Sequence, residues 1–336
     1  MIITLLDTSI GSDNLGDEII MESIKEWFDR IMNQLKKEDI EIYYLPTHLP
    51  LTAEQKRILT KSDLKILCGT NLFNMLFTPF KHFNCWRIAF YELGYVKDII
   101  LLGVGTQFSQ KSKLKLIRRI YSTYMWQRII NREFIHSVRD EISKNILKKW
   151  GVDNVVNTGC PTLWKLNKNH CKNIPTKKSK KVIFTVSDYD RDYFYDKKMI
   201  EILLENYNEI FAWPQGISDY DYLKDLLGRD IKKVEVLARN LNEYDKLLKE
   251  EENIDYVGTR LHGGIRALQF KKRTLIIAID NRAKSFNKEH NIPILEREKI
   301  DKLPLFINSE WRTDVKIDEY NIRAYELEFV KLLNSL

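Results

Sequence analysis

Cysteine is scarce in this chain of 336 residues: Cys68, Cys85, Cys160 and Cys171 lie far apart and form no CxxC pair. Such spacing offers neither a zinc-ligand set nor a disulfide framework, and a reduced, cytoplasmic setting is expected. No acidic or histidine cluster has metal spacing, so no metal-ligating residues are assigned and a metal requirement stays open. Nowhere does an apolar run approach the roughly 18 residues that span a bilayer. The start, Met1 to Asp7, has no basic region before its apolar run and no small-residue cleavage site after it, and reads as a first β-strand rather than a signal peptide. Internal repeats with periods of about 20–50 residues, low-complexity tracts, and RNA- or DNA-module signatures are all missing. A formal charge of +7 is moderate. It suits an anionic small substrate or an anionic membrane surface, and is not concentrated enough to argue for nucleic acid, which is not expected as a partner.

What is present is the composition of a folded protein, 44% hydrophobic and 30% charged. Short apolar runs alternate with amphipathic stretches. Strands are expected at 2–6, 40–45, 64–68, 98–104 and 134–138, with helices at 17–36, 111–131 and 140–149, the last stopped at Gly151. The polar, basic stretch 167–181, broken by Pro175, reads as a linker. Beyond it the rhythm restarts, with strands at 182–186, 209–213, 234–237, 255–258 and 273–279 and helical segments between. Such alternation implies an α/β fold with parallel sheets covered by helices on both faces. The division expected is an N-terminal Rossmann-like domain over 1–166, the linker 167–181, a C-terminal Rossmann-like domain over 182–310, and a closing helix within 311–336. Two such doubly wound domains are expected to face each other across a cleft, where α/β proteins bind ligands.

The segment Thr259-Arg260-Leu261-His262-Gly263-Gly264 is the sharpest. A strand runs into a turn bearing Arg260 and His262, and glycines then open a helix. Helix N-termini favour anions, and an arginine forks onto a carboxylate or phosphate. Histidine exchanges protons near neutral pH. The plainer reading is an Arg–His pair that caps the helix. Lys284 follows the next strand, where it either joins Arg260 on one anion or is a solvated surface charge. Gly11-Ser12-Asp13-Asn14-Leu15-Gly16-Asp17-Glu18 is a small polar turn, but neither a Walker loop nor a GxGxxG fingerprint. Asp13 or Asn14 there suits a helix N-cap, with Asp17 in the first turn. Arg139, at another strand end, is either an anion ligand or half of a helix-start ion pair. Trp213-Pro214-Gln215-Gly216 is either a ligand-binding strand end or a plain turn. The basic segment Lys111–Arg132, with Leu, Ile, Tyr and Trp interleaved, is either a sheet-covering helix or a peripheral contact with the inner face of an anionic membrane.

Together these segments resemble the polysaccharide pyruvyl transferase family. The resemblance rests on Gly11 with Asn14-Leu15-Gly16-Asp17, Ser137-Val138-Arg139-Asp140-Glu141-Ile142-Ser143, Thr259-Arg260-Leu261-His262-Gly263, and Asp280 with Lys284-Ser285-Phe286. It implies a two-domain fold similar to GT-B glycosyltransferases. It also implies phosphoenolpyruvate as co-substrate, no cofactor, and an oligosaccharide or lipid-linked glycan whose hydroxyl pair becomes a pyruvyl ketal. By motif position, Arg260, Leu261, His262 and Gly263 match the donor-binding segment, with Arg260 and His262 catalytic. Arg139 matches a second functional arginine and Lys284 the downstream lysine. Asp13, Asn14, Gly16, Asp17 and Gln215 are candidates for the acceptor side or for turn structure. The chain departs from the family pattern at Cys68-Gly69-Thr70-Asn71, at Gly103-Val104-Gly105-Thr106-Gln107 and at Gly159-Cys160-Pro161. A nucleotide-sugar glycosyltransferase and a catalytically silent glycan-binding relative are the competing readings.

Overall fold

The computed structural model describes residues 1–35, 39–74, 86, 88, 90–106 and 123–336. By contacts the chain divides into two units: residues 1–12, 20–164 and 318–336 form the first, and residues 13–19 with 165–317 form the second. The division falls after Trp164, and the boundary near the N-terminus passes inside a helix.

The first unit is built on β1 (Ile2–Asp7), α1 (Leu15–Leu35), β2 (Glu41–Pro46), α2 (Ala53–Lys61), β3 (Leu64–Cys68) and β4 (Ile99–Leu102). It continues with β5 (His136–Val138), α3 (Glu141–Lys149) and β6 (Val155–Asn157). Four strands pair in parallel in the order β2-β1-β3-β4. A parallel bridge from Val104 to Val138 extends this toward the β5-β6 pair. Strands flanked on both sides read as unbroken apolar runs, as Ile99–Leu102 does, because both faces are covered by protein. Asp140 caps α3 through the Ser143 amide at 2.7 Å, and Gly151, at φ +76°, turns the chain away just past its end. Residues 123–129 are helical, whereas 107–122, most of the basic segment expected to be a helix, lie outside the described residues. The last helix, Glu319–Ser335, counts with this unit. There Trp27 donates its indole N–H to Glu326 at 2.9 Å and packs its ring on Phe329.

The second unit holds β7 (Lys181–Thr185), α4 (Tyr193–Asn206), β8 (Glu209–Ala212), α5 (Asp219–Leu227), β9 (Glu235–Val236) and α6 (Leu241–Glu250). They are followed by β10 (Ile254–Gly258), α7 (Leu261–Gln269), β11 (Thr274–Ala278), α8 (Asn281–His290) and β12 (Ile294–Glu296). All six strands pair in parallel in the order β12-β11-β10-β7-β8-β9. The chain winds outward from β7 through β8 to β9, then crosses back and winds the other way from β10. That order leaves a switch point between β7 and β10, and ligands of doubly wound sheets bind beyond the carboxyl ends of the strands there. Helix α7, which leaves β10 at that point, is buried from Leu261 to Leu268. Gly264 allows it to lie on the sheet, since a Cβ there would meet the Ile276 side chain. At the other end of β10, Asp255 and Arg273 form a buried ion pair at 3.0 Å, with the Tyr207 hydroxyl on the same carboxylate at 2.8 Å.

The expected strands correspond to observed ones within a few residues. Two short strands, β6 and β12, had no sequence signal strong enough to raise them from loops. Both are three residues long and lie at sheet edges.

Candidate active site at the switch point

Arg260 is the last residue of the β10 loop and the N-cap of α7. Its backbone is held rigidly. The Arg260 amide donates to Thr185 Oγ1 at 3.2 Å, and the Tyr256 hydroxyl, bonded to the same Thr185 oxygen at 2.6 Å, donates to the Arg260 carbonyl at 2.7 Å. The side chain is 8% exposed and reaches two carboxylates. Nε donates to Asp219 Oδ2 at 2.8 Å, Nη2 donates to Asp219 Oδ1, and Nη2 also donates to Asp188 Oδ1 at 2.9 Å. These bonds use Nε and Nη2; among the described residues Nη1 has no partner.

Asp219, fully buried, is the hub of this cluster. Besides the guanidinium it accepts the amides of Gln215 at 3.1 Å, Gly216 at 2.6 Å and Asp188 at 3.0 Å. Burial pushes its carboxyl up, but the charge and hydrogen bonds of Arg260, with the Gly216 and Asp188 amides, outweigh burial and hold it below the ordinary value. Asp188 behaves in the opposite way. Burial, hydrogen bonding to Asp219 and the Asp219 charge raise it, against the pull of Arg260. The loops after β7, β8 and β10 are thus tied together by one carboxylate and one guanidinium.

A second cluster adjoins this one. The Arg260 guanidinium lies 5.6 Å from the centre of the Tyr189 ring, and that of Arg282 lies 5.5 Å from it. The Tyr189 hydroxyl donates to Asp280 Oδ2 at 2.6 Å and accepts from Arg282 Nη2 at 2.7 Å. Burial first, and Asp280 after it, push the phenol up to about 12, so it is neutral at physiological pH. Ser187, Gln215 and Thr259, at the ends of β7, β8 and β10, each carry a buried side-chain oxygen with no partner among the described residues. Orphaned polar atoms of this kind are uncommon, and the strand tips over a switch point are where doubly wound sheets bind ligands.

The structure brings some of the expected residues together. Gln215 donates its side-chain amide to Asn14 Oδ1 at 2.8 Å, and its carbonyl accepts the Leu15 amide at 3.3 Å. Asn14 Oδ1 also accepts the Gly16 amide at 3.1 Å, and the Asp13 carbonyl accepts Arg239 Nη2 at 2.5 Å. Asp13, Asn14, Gly16 and Asp17 therefore count with the second unit, although sequence order placed them in the first. Gly263 lies in the first turn of α7, where a Cβ would come within 3.1 Å of Gln215 Oε1. His262 and Leu261, each 8% exposed, occupy the same turn.

Two expected residues have other neighbours. Lys284, on α8, is 40% exposed and pairs with Glu296 at 3.0 Å, a carboxylate that Lys299 and Lys284 hold down at about 2. Arg139 lies in the first unit, 3.5 Å from Asp140, with Nη2 on Asn71 Oδ1. Its packing explains Gly105, whose Cβ would overlap the Arg139 side chain. Of the two readings raised for Arg139, the ion pair with Asp140 at the start of α3 is observed. Sequence reasoning missed Asp188, Asp219, Tyr189 and Arg282. The only signals available were an Asp two residues past a strand and an Asp opening a helix, which are common features of any α/β protein.

Comparison with known families now bears on this site. A family model described as polysaccharide pyruvyl transferase matches residues 14–281, from the Asn14 turn through β11. The chain belongs to the polysaccharide pyruvyl transferase family. Comparison with curated proteins finds no match. Among solved structures, UDP-GlcNAc 2-epimerase of Methanocaldococcus jannaschii in complex with UDP-GlcNAc and UDP is similar at 15% identity and TM-score 0.53, over 100% of this chain and 99% of that one. S. aureus MnaA solved with UDP is similar at 10% identity and TM-score 0.54, over 100% and 97%. At such identities the likeness concerns the fold, which is α/β and GT-B-like. As a polysaccharide pyruvyl transferase the chain is a transferase, and Arg260, His262 and the Asn14 turn all fall within the matched span. Among the described residues no helix is long and apolar enough to cross a membrane, and no group of three or more His, Cys, Asp or Glu is placed to hold a metal.

Proposed function

We propose that this polysaccharide pyruvyl transferase takes its pyruvyl group from phosphoenolpyruvate and joins it to two hydroxyls of a cell-surface polysaccharide or its precursor, as a ketal. The observation that carries this reading is Arg260. It stands at the β7/β10 switch point with an oriented guanidinium and Nη1 left over, beside the amide end of α7. Arg260 holds the carboxylate or phosphate of the donor, and Arg139 is the second functional arginine. Lys284 is the further candidate cation, and it must leave Glu296 to act. His262 acts as the acid that delivers a proton to the donor methylene.

The step balances as follows. Protonation of C3 makes C2 electrophilic, and one acceptor hydroxyl forms a C2–O bond as it loses its proton. The C2–OP bond breaks and phosphate leaves. The second hydroxyl closes the ketal at C2, and its proton departs with phosphate. One hydroxyl proton in total replaces the proton spent on the methyl group. A positioned acid contributes about 100- to 10,000-fold, so His262→Ala should cost turnover on that scale.

The intact protein incubated with phosphoenolpyruvate and candidate glycans should add a pyruvyl-sized mass and release phosphate. A glycan that gains mass only with a nucleotide sugar would overturn the donor assignment. Lys284→Ala separates its two roles. An exposed pair contributes about 0–1 kcal/mol to stability, so a loss of donor affinity with an unchanged melting temperature marks a binding lysine. The acceptor is expected to involve the Asn14–Gln215 turn, and peripheral membrane contact through residues 111–132 is expected to show as sedimentation with anionic liposomes.

A further inference from the structure

The charges around Arg260 do not suit an anion as they stand. One guanidinium faces two carboxylates, Asp188 and Asp219, so the trio is net negative when both are ionised. A phosphorylated acid arriving at Nη1 adds further negative charge. One carboxylate has to be neutralised, and the two are not equivalent. Asp219 is fully buried and accepts three backbone amides in addition to two guanidinium bonds. Protonating it would strip acceptors from buried donors. Asp188 has a side chain 25% exposed and a single guanidinium contact. Solvent reaches it, and it has little to lose.

We propose that Asp188 takes up a proton when the donor anion docks on Arg260, while Asp219 is the positioning residue that keeps the guanidinium in place through the exchange. This rests on the donor reading above. The groups that face Asp188 are consistent with it. Asp219 on α5 and Arg260 at the end of β10 oppose each other in their effect. On its own loop Arg191 donates to the Asp188 carbonyl, at 3.2 Å, rather than to the carboxylate, and Tyr189 is a neutral phenol. Its carboxyl is already raised before any ligand arrives, by burial and then by Asp219. An added anion raises it further.

Calorimetric titration of the intact protein with phosphoenolpyruvate, in two buffers of different ionisation enthalpy at one pH, counts the protons taken up. The phosphate's own proton is common to all variants, so the difference between variants isolates Asp188. Wild type should take up more than Asp188→Asn, by up to about one proton per site. Asp188→Glu should retain the uptake. Asp188→Asn should bind the donor several-fold more tightly, about tenfold for each pKa unit of coupling removed. A circular-dichroism melt shows whether each variant is folded. Equal uptake by wild type and a folded Asp188→Asn, or weaker donor binding by that variant, overturns the proposal alone. Failure of wild type to bind phosphoenolpyruvate at all overturns the donor reading, and this inference with it.

Discussion

Removing Asp219 should be far more damaging than its position in a loop-to-helix junction suggests. In Asp219→Ala the Arg260 guanidinium, 8% exposed, keeps only Asp188 as a counter-charge, and the amides of Gln215, Gly216 and Asp188 lose their acceptor. Removing one partner of a buried ion pair costs about 3–5 kcal/mol. Each kcal/mol lowers the melting temperature of a unit of this size by about 2–4 °C, so the second unit should melt roughly 6–20 °C earlier. Most of that cost is the stranded charge, and it can be separated. Replacing Arg260 as well, in Asp219→Ala/Arg260→Met, removes the charge but leaves the amides unpaired. The double variant should therefore be more stable than the two single losses sum to, by about 2–3 kcal/mol of coupling. Urea titrations of the four proteins measure this cycle. Asp219 has a depressed pKa, so its contribution is present above the unfolded value of 3.8 and is lost as pH falls through the folded one. The coupling should vanish in that acid range. A coupling under about 0.5 kcal/mol at neutral pH would show that Arg260 is not held as described.

Two further variants probe each unit. His136 is fully buried in the first, accepting the Leu101 amide on Nδ1 and donating from Nε2 to the Asn131 carbonyl; burial brings its pKa down from 6.5 to about 4. Because the folded value lies below the unfolded one, stability is full above pH 6.5 and drains as pH falls toward 4, by roughly 3 kcal/mol in all. His136→Gln should lack that slope in denaturant titrations across the same range, and an identical slope would refute the assignment. In the second unit, a Cβ on Gly216 would overlap Arg260 Nη2, which Asp219 and Asp188 prevent from moving aside. Gly216→Ala should therefore weaken phosphoenolpyruvate binding by tenfold or more, about 1.4 kcal/mol, and unchanged affinity in calorimetry would mean that Arg260 is mobile.

Much of the fold could be read from residues because its signal is periodic. The run Leu64–Cys68 is a strand in both views, and α1 buries Ile20, Ile24, Phe28 and Ile31 at helical spacing as the pattern implied. Strands β6 and β12, three residues each, are not among the strands expected from the sequence. The Asn14 turn shows a different limit. Its sequence reads as a local cap, and Asn14 does accept the Gly16 amide, but the same oxygen also accepts the Gln215 side chain 201 positions away. Local chemistry was legible, while the long-range partner was not.

The same limit explains why Arg260 stands out in the sequence and the carboxylates that hold it do not. An arginine between a strand and a glycine-opened helix stands out, because few structural roles need a guanidinium there. An aspartate at the start of α5 looks like any helix-opening carboxylate, and its distinction lies wholly in what three separate loops bring to it. The parallel order β9-β8-β7-β10-β11-β12 makes that meeting unavoidable, since it sets the ends of β7 and β10 side by side with β8 next to β7. Asp255 with Arg273 shows the contrast at the opposite end of β10: a buried Arg–Asp pair closed by a tyrosine hydroxyl and several carbonyls, where every guanidinium nitrogen but Nε has a partner. The chemistry of the two pairs is alike. On the proposed reading, the two pairs differ in the end of the strand they occupy: Arg260 stands at the carboxyl ends over the switch point, Arg273 at the opposite end.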